Sequence, residues 1–372
     1  MKKERSSNIE LLRIIAMLFV VTLHYLGKGG ALLPWGDENF GTNTYIAWAI
    51  NAFALVAVNV YVLISGYFLA ESKFRLSRIL KIWFQVFFYS AGVWLVLLAL
   101  GMVPSEFFAG YWISMFLLPI TSQHYWFASS YIFMCLLAPF MGVAVRKMTK
   151  RQLQTCIVVL MLLFSRIWRI VLPMSTPIDD RGYGIIWFVC LFVIAAYIRL
   201  YVPANGKWVK PLLIYVASSA ALFLSLPVLG TITQKVGKMV EYYDVLYEYN
   251  APLTIIGAVA LFLAFRNMKI GKGNAGKVLN WVAGCTFGVY LLHEHALLRG
   301  FWNSFWNVNE MCQTSYFVPH MIGVVLAVFL AGCIAEAFRQ VLFFGISKIF
   351  RTDKISSKLE KVDVFFNEKE SK

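Results

Sequence analysis

Ten stretches of about 17 to 25 mostly apolar residues, separated by charged or Gly- and Pro-rich breaks, constrain this chain more than any motif in it. A run of that length is what an α-helix needs to cross a bilayer core, where every backbone amide must be satisfied inside the segment. The runs lie near 9–27, 46–70, 82–101, 126–144, 152–172, 183–199, 211–230, 251–267, 278–297 and 317–340. They predict an all-α, polytopic transmembrane helix bundle. With 60% apolar and 14% charged residues and a mean hydropathy of +0.68, most of the 372 residues must be buried in lipid or in such a bundle. Residues 1–345 read as one integral membrane domain, and 346–372 as a short charged cytoplasmic tail with no soluble catalytic domain appended. The start has the outline of a signal peptide, but Arg13 interrupts its apolar run and no small-x-small site follows, so it reads as a retained first span. Tyr111 to Ile120 is apolar but too short to cross, and reads as a re-entrant or interfacial helix.

Lysine and arginine favour the cytoplasmic side of a membrane. With the N-terminus inside, 26 of the 34 fall in cytoplasmic segments, including Lys2, Lys3, Arg5 and everything from Arg339 onward. Both termini are therefore expected in the cytoplasm, and the protein in an inner or cytoplasmic membrane. The net charge of +15 follows from topology and anionic lipid and calls for no nucleic acid. The six cysteines are scattered without CxxC spacing, and no phosphate loop, HExxH or GxSxG is present.

Polar residues inside apolar runs mark candidate sites, because an arginine near mid-membrane costs roughly 2.5–3.5 kcal/mol on insertion scales. The first run carries Arg13 and His24, eleven residues apart; at about 100° per residue they share a helix face, roughly 16 Å apart along the axis. Arg13 can pair with Glu10 and His24 can reach toward the headgroups, or both can serve one site. Lys73, Arg75, Arg78 and Lys81 are a positive-inside flank or the mouth of an anion site. His124 and Trp126, in QHYWF, suit either an aromatic belt or a sugar ring. Arg166 and Arg169 either snorkel or bind an acidic substrate group. His293, Glu294 and His295 are adjacent and diverge by about 100° each, so they suggest no metal; His293 is expected to face the bundle, with Glu294 or His295 toward the surface.

Taken in order, NIELLRIIAMLFVVTLHY, VNVYVLISGYFL, RLSRILKIW, HYWF and TFGVYLLH resemble the membrane acyltransferase 3 family, over residues 8 to about 293. The arginine, ten residues, then histidine of the first run is the most specific element. Members mostly acylate cell-surface polysaccharides and related envelope molecules. The resemblance implies that His24 and Arg13 are central to acyl transfer and that Arg75 and Arg78, with Lys81 nearby, serve the acyl-CoA side. Many relatives have adjacent arginines there, whereas two residues separate Arg75 from Arg78.

These readings lead to one expectation: cations at the inner mouth hold the phosphates of acetyl-CoA or another acyl-CoA, without a metal. His24 acts as base or acyl acceptor, and Arg13 orients the thioester or steadies developing oxyanion charge. His124, Trp126, Arg166, Arg169 and His293 are expected to meet the acceptor, an envelope glycan or lipid-linked saccharide. The competing class is a secondary transporter or polysaccharide-export component that uses the same buried groups as a substrate or proton path; a scaffold would need none of them.

Overall fold

The computed structural model describes residues 6–108, 110–171, 179–237, 240–270, 273–349, 359, 361–364 and 367. Lys2, Lys3, Arg5, Lys238, Lys272 and most of the tail beyond Ile349 lie outside these residues. The chain is all-helical, 77% helix, with no strand among the described residues. The helices run α1 (Ser7–Lys28), α2 (Thr42–Ala54), α3 (Ala57–Leu69), α4 (Leu76–Ala99), α5 (Gly110–Leu117), α6 (Trp126–Lys147), α7 (Lys150–Phe164) and α8 (Ile167–Val171). They continue as α9 (Ile185–Tyr201), α10 (Val209–Val236), α11 (Pro252–Asn267), α12 (Asn274–His293), α13 (Phe301–Phe305), α14 (Val308–Met311) and α15 (Phe317–Ile349).

Among the described residues, six segments are long and apolar enough to cross a membrane by themselves: α1, α2 with α3, α4, α6, α10 and α15. Two more, α9 and α11, are apolar but shorter. The run at 46–70 is broken at Leu55 and Val56 into α2 and α3. The run at 152–172 stops as a helix at Phe164; Ser165 is extended, and a second short helix, α8, follows Arg166. The segment at 111–120 forms α5, whose Phe116 is fully buried and whose carbonyl accepts from Ser90 Oγ of α4 at 2.9 Å.

Three packing relations place the site. First, α1 lies against α3 and α12, and the Asn8 amide at its start donates to the carbonyls of Phe265 (2.8 Å), Arg266 (3.2 Å) and Met268 (3.0 Å) where α11 ends. Second, α12 approaches α15 so closely that a Cβ on Gly332 would stand 2.7 Å from Val289 Cα, a spacing only glycine allows. Third, buried Asn59 of α3 donates to the Tyr249 carbonyl at 2.7 Å and accepts from Trp187 Nε1 at 3.0 Å, fixing the loop before α11. The two asparagine contacts satisfy polar groups that would cost several kcal/mol unpaired in lipid.

Candidate active site

His24 lies one turn before the end of α1, and α12, packed alongside, delivers His293 as its last residue. His24 Nδ1 is 2.8 Å from His293 Nε2, and His293 Nδ1 is 2.6 Å from the Val289 carbonyl one turn back. A carbonyl can only accept, so His293 Nδ1 carries the proton. In the neutral ring its Nε2 is then an acceptor, His24 Nδ1 donates to it, and the lone pair of His24 is left on Nε2. The carbonyl thus sets the tautomer of His293, and His293 sets that of His24.

Glu294 brings a carboxylate oxygen to 3.3 Å from His24 Nδ1 and also pairs with Lys28, the last residue of α1. Ligand atoms of His24, His293 and Glu294 all lie within 4.8 Å of one another. His24 and His293 are already bonded to each other, and the Lys28 ammonium neutralises the carboxylate a cation would use. His295 turns the other way: it is fully buried, donates to the Ser90 carbonyl at 3.1 Å and stacks on Phe116 with centroids 5.3 Å apart. It is not the surface residue the sequence allowed, because α5 and α4 cover it.

On its other side His24 lines a narrow cavity of about 40 Å³ with Met17, Val20 and Leu23 of its own helix, Val58 and Tyr61 of α3, Trp126 and Phe127 of α6, and Tyr249, Phe287 and Tyr290. Among the described residues, no charged or titratable side chain but His24 and tyrosine lines it. Trp126 packs on Tyr183 (4.5 Å between centroids) and stacks on Tyr249 (6.0 Å), so the sequence-predicted tryptophan does reach His24's cavity.

Arg13 does not reach His24. Its Nη1 is 3.4 Å from each carboxylate oxygen of Glu10, itself only 4% exposed, which is the local pairing the sequence allowed. The link to the cavity is indirect: the Tyr61 hydroxyl donates to the Arg13 carbonyl at 2.7 Å. At the opposite end of the bundle, Lys73, Arg75 and Arg78 line a crevice with Ile79 and Cys135. Lys81 is exposed and not among its lining residues. The crevice and the cavity meet one face of α6, where Cys135, Tyr131 and Phe127 follow at four-residue spacing, about 12 Å in all. Two tail residues close on the crevice. Asp363 accepts from the Leu76 amide (2.6 Å) and Ser77 hydroxyl (3.3 Å), and Asn367 exchanges bonds with the Phe74 amide (3.0 Å) and carbonyl (2.9 Å).

The remaining sequence-predicted residues lie apart. His124 is boxed between Tyr125 (4.2 Å), His295 (5.0 Å) and Phe116 (5.5 Å), with no hydrogen-bond partner for either ring nitrogen among the described residues. Burial, with help from His295 and Arg299, pushes its imidazole down to about 3, so it is neutral. Arg166 is buried, donates to the Val245 carbonyl at 2.9 Å and to Asp179 at 3.1 Å, and stands 3.8 Å from Glu248. Its acidic partners come from this chain. Arg169, on α8, accepts at its carbonyl from the Tyr242 hydroxyl.

Sequence reasoning missed Lys28 and Glu294 as partners of His24, although Lys28 sits one helical turn beyond it. It also missed Glu336 of α15, 1% exposed and bonded to Tyr89 (2.9 Å), Gln85 (3.1 Å), Gln340 (3.1 Å) and Arg339 (2.6 Å); an acid inside an apolar run was the available signal. Tyr249 and Asn59 gave none, since a loop tyrosine and a helical asparagine acquire meaning only once packed.

A family model described as an acyltransferase domain, acyltransferase 3, matches residues 6–336, nearly the whole chain. No curated protein and no solved structure matches it. With its apolar helices and a match of that extent, the chain is a multi-pass membrane protein of the acyltransferase 3 family, a membrane acyltransferase.

Proposed function

We propose that this acyltransferase moves acetyl from cytoplasmic acetyl-CoA to a hydroxyl of a glycan or lipid-linked saccharide on the far side of the cytoplasmic membrane, through ten spans with both termini inside. One observation carries the reading: an imidazole with its Nδ1 held by a second histidine faces a small aromatic cavity. In this reading the crevice of Lys73, Arg75 and Arg78 receives the CoA phosphates, and the pantetheine arm follows the Cys135–Tyr131–Phe127 face of α6. Arg13, roughly 16 Å below His24, acts on that arm and not on the thioester carbon.

His24 Nε2 takes the proton of the acceptor hydroxyl as its oxygen attacks the thioester carbon. The carbon–sulfur bond breaks, and His24 returns the proton to the departing thiolate, leaving an acetyl ester and free CoA. Size and polarity support acetyl. A cavity of about 40 Å³ holds roughly three water-sized positions, enough for the three heavy atoms of an acetyl group. A succinyl carboxylate would enter it as an unpaired buried charge, which costs several kcal/mol.

The test is acetyl transfer by the purified protein in liposomes, with radiolabelled acetyl-CoA and envelope glycans, beside His24→Ala at matched abundance. Label should appear in the glycan with the wild type and fall to background in the variant. Equal transfer by both would overturn the reading, and movement of an unmodified solute in its place would favour a transporter.

A further inference from the structure

Beyond Lys28 the bundle opens into a cleft of about 650 Å³, within the range of small-molecule sites. It is built by the segment that follows His293, through α13 and α14, and Lys28 is shared between it and the His24 cluster. Its lining differs in kind from that of the aromatic cavity: the amides of Asn303, Asn307 and Asn309, the hydroxyl of Ser304 and the cations of Lys28 and Arg299. Asn303 donates through Nδ2 to the Arg299 carbonyl at 3.0 Å, which leaves its Oδ1 buried and without a partner among the described residues. A buried amide oxygen without a donor costs about 1–3 kcal/mol, a deficit that a ligand hydroxyl removes. Amides and hydroxyls at this density suit a polyhydroxylated ligand.

The charges narrow the class further. Lys28 is matched by Glu294, whereas the Arg299 guanidinium has no ion-pair partner among the described residues. Glu310 is the single carboxylate among the lining residues. We propose that the acceptor is an acidic saccharide, seated here with its phosphate or carboxylate against Arg299 and Lys28 and one hydroxyl directed at His24 Nε2. This rests on the acetyl-transfer reading above. When the acidic group engages Lys28, Glu294 is released from the ammonium and remains within 3.3 Å of His24 Nδ1, where it favours the imidazolium formed as the proton arrives. Binding of the right acceptor is thereby coupled to strengthening of the base.

The experiment compares three oligosaccharide acceptors of equal length, one neutral, one with a terminal phosphomonoester and one with a terminal uronate. They are given to the full-length protein in liposomes with acetyl-CoA. The acidic acceptors should be preferred by about tenfold in kcat/KM, a preference that rising salt erodes. Arg299→Gln should remove most of that preference through KM, and Arg299→Lys should keep part of it. Whichever acidic arm is preferred identifies phosphate or carboxylate as the natural group. Transfer to the neutral acceptor as efficient as to both acidic ones, still dependent on His24, would overturn this inference while leaving the acetyltransferase standing. No label on any acceptor would remove both.

Discussion

Removing the His293 side chain tests the geometry on which the active site rests. In His293→Ala the Nδ1–H of His24 loses the acceptor 2.8 Å away and keeps only the Glu294 oxygen at 3.3 Å, which Lys28 shares. A hydrogen bond that orients a reacting imidazole is worth about 1.5–3 kcal/mol, and supporting partners of this kind typically alter activity 10- to 100-fold. Because the His293 side chain does not line the cavity, the loss should fall on kcat, by about 30- to 100-fold, with KM for acetyl-CoA within about twofold. His293→Gln should recover much of it, since a glutamine oxygen reaches the place of Nε2 and accepts the same bond. The assay is initial-rate transfer of radiolabelled acetyl at matched protein abundance. A kcat within twofold of wild type for His293→Ala, with His24→Ala inactive, would refute the orienting role; so would a glutamine variant as slow as the alanine one.

Phe287→Ala enlarges the cavity beside His24, and the butyryl-to-acetyl rate ratio in competition assays should rise by about tenfold. Glu248, which burial pushes up to about 7 against the opposing pull of Arg166 and Arg181, is more easily protonated folded than unfolded. Its stabilising contribution is therefore full below its ordinary 4.5 and lost as pH rises through about 7, so Glu248→Gln should be more stable than wild type at pH 8, by on the order of 2 kcal/mol, and no more stable at pH 4 in thermal unfolding. Asp363→Asn removes the carboxylate that caps α4 between Arg75 and Arg78; KM for acetyl-CoA should fall by about two- to fivefold if tail and CoA phosphates share that crevice, measured by initial rates.

The helices were legible because lipid imposes length and apolarity on each of them without reference to its neighbours, and each apolar run contains helix, six of them long and apolar enough to span among the described residues. Their interruptions were not. The break at Leu55–Val56 and the stop at Phe164 depend on what lies across the bundle, and Arg166 leaves its helix to meet Asp179 and the Val245 carbonyl. At the site, His24 stood out because a titratable group inside an apolar run is costly wherever it packs. That His293 would be its partner required knowing that α1 and α12 touch. Arg13 illustrates the converse: helical periodicity put it on the face of His24, but a shared face is not a shared site when roughly 16 Å of helix intervenes. His124 and Arg166 have the polarity of ligand-binding residues and are enclosed by this chain's own rings and acids.

The Asn8 clamp gives α1 a fixed foot. Sixteen residues, about 24 Å of helix, separate that foot from His24, and a helix barely compresses along its axis. A bilayer thicker or thinner than the bundle is accommodated by tilt, not by sliding. Pivoting on Asn8, a tilt of about 5° carries His24 sideways by about 2 Å, comparable to the whole of its bond to His293. A bilayer whose chain length tilted α1 against α12 by that much would therefore act directly on the alignment of the His24 imidazole.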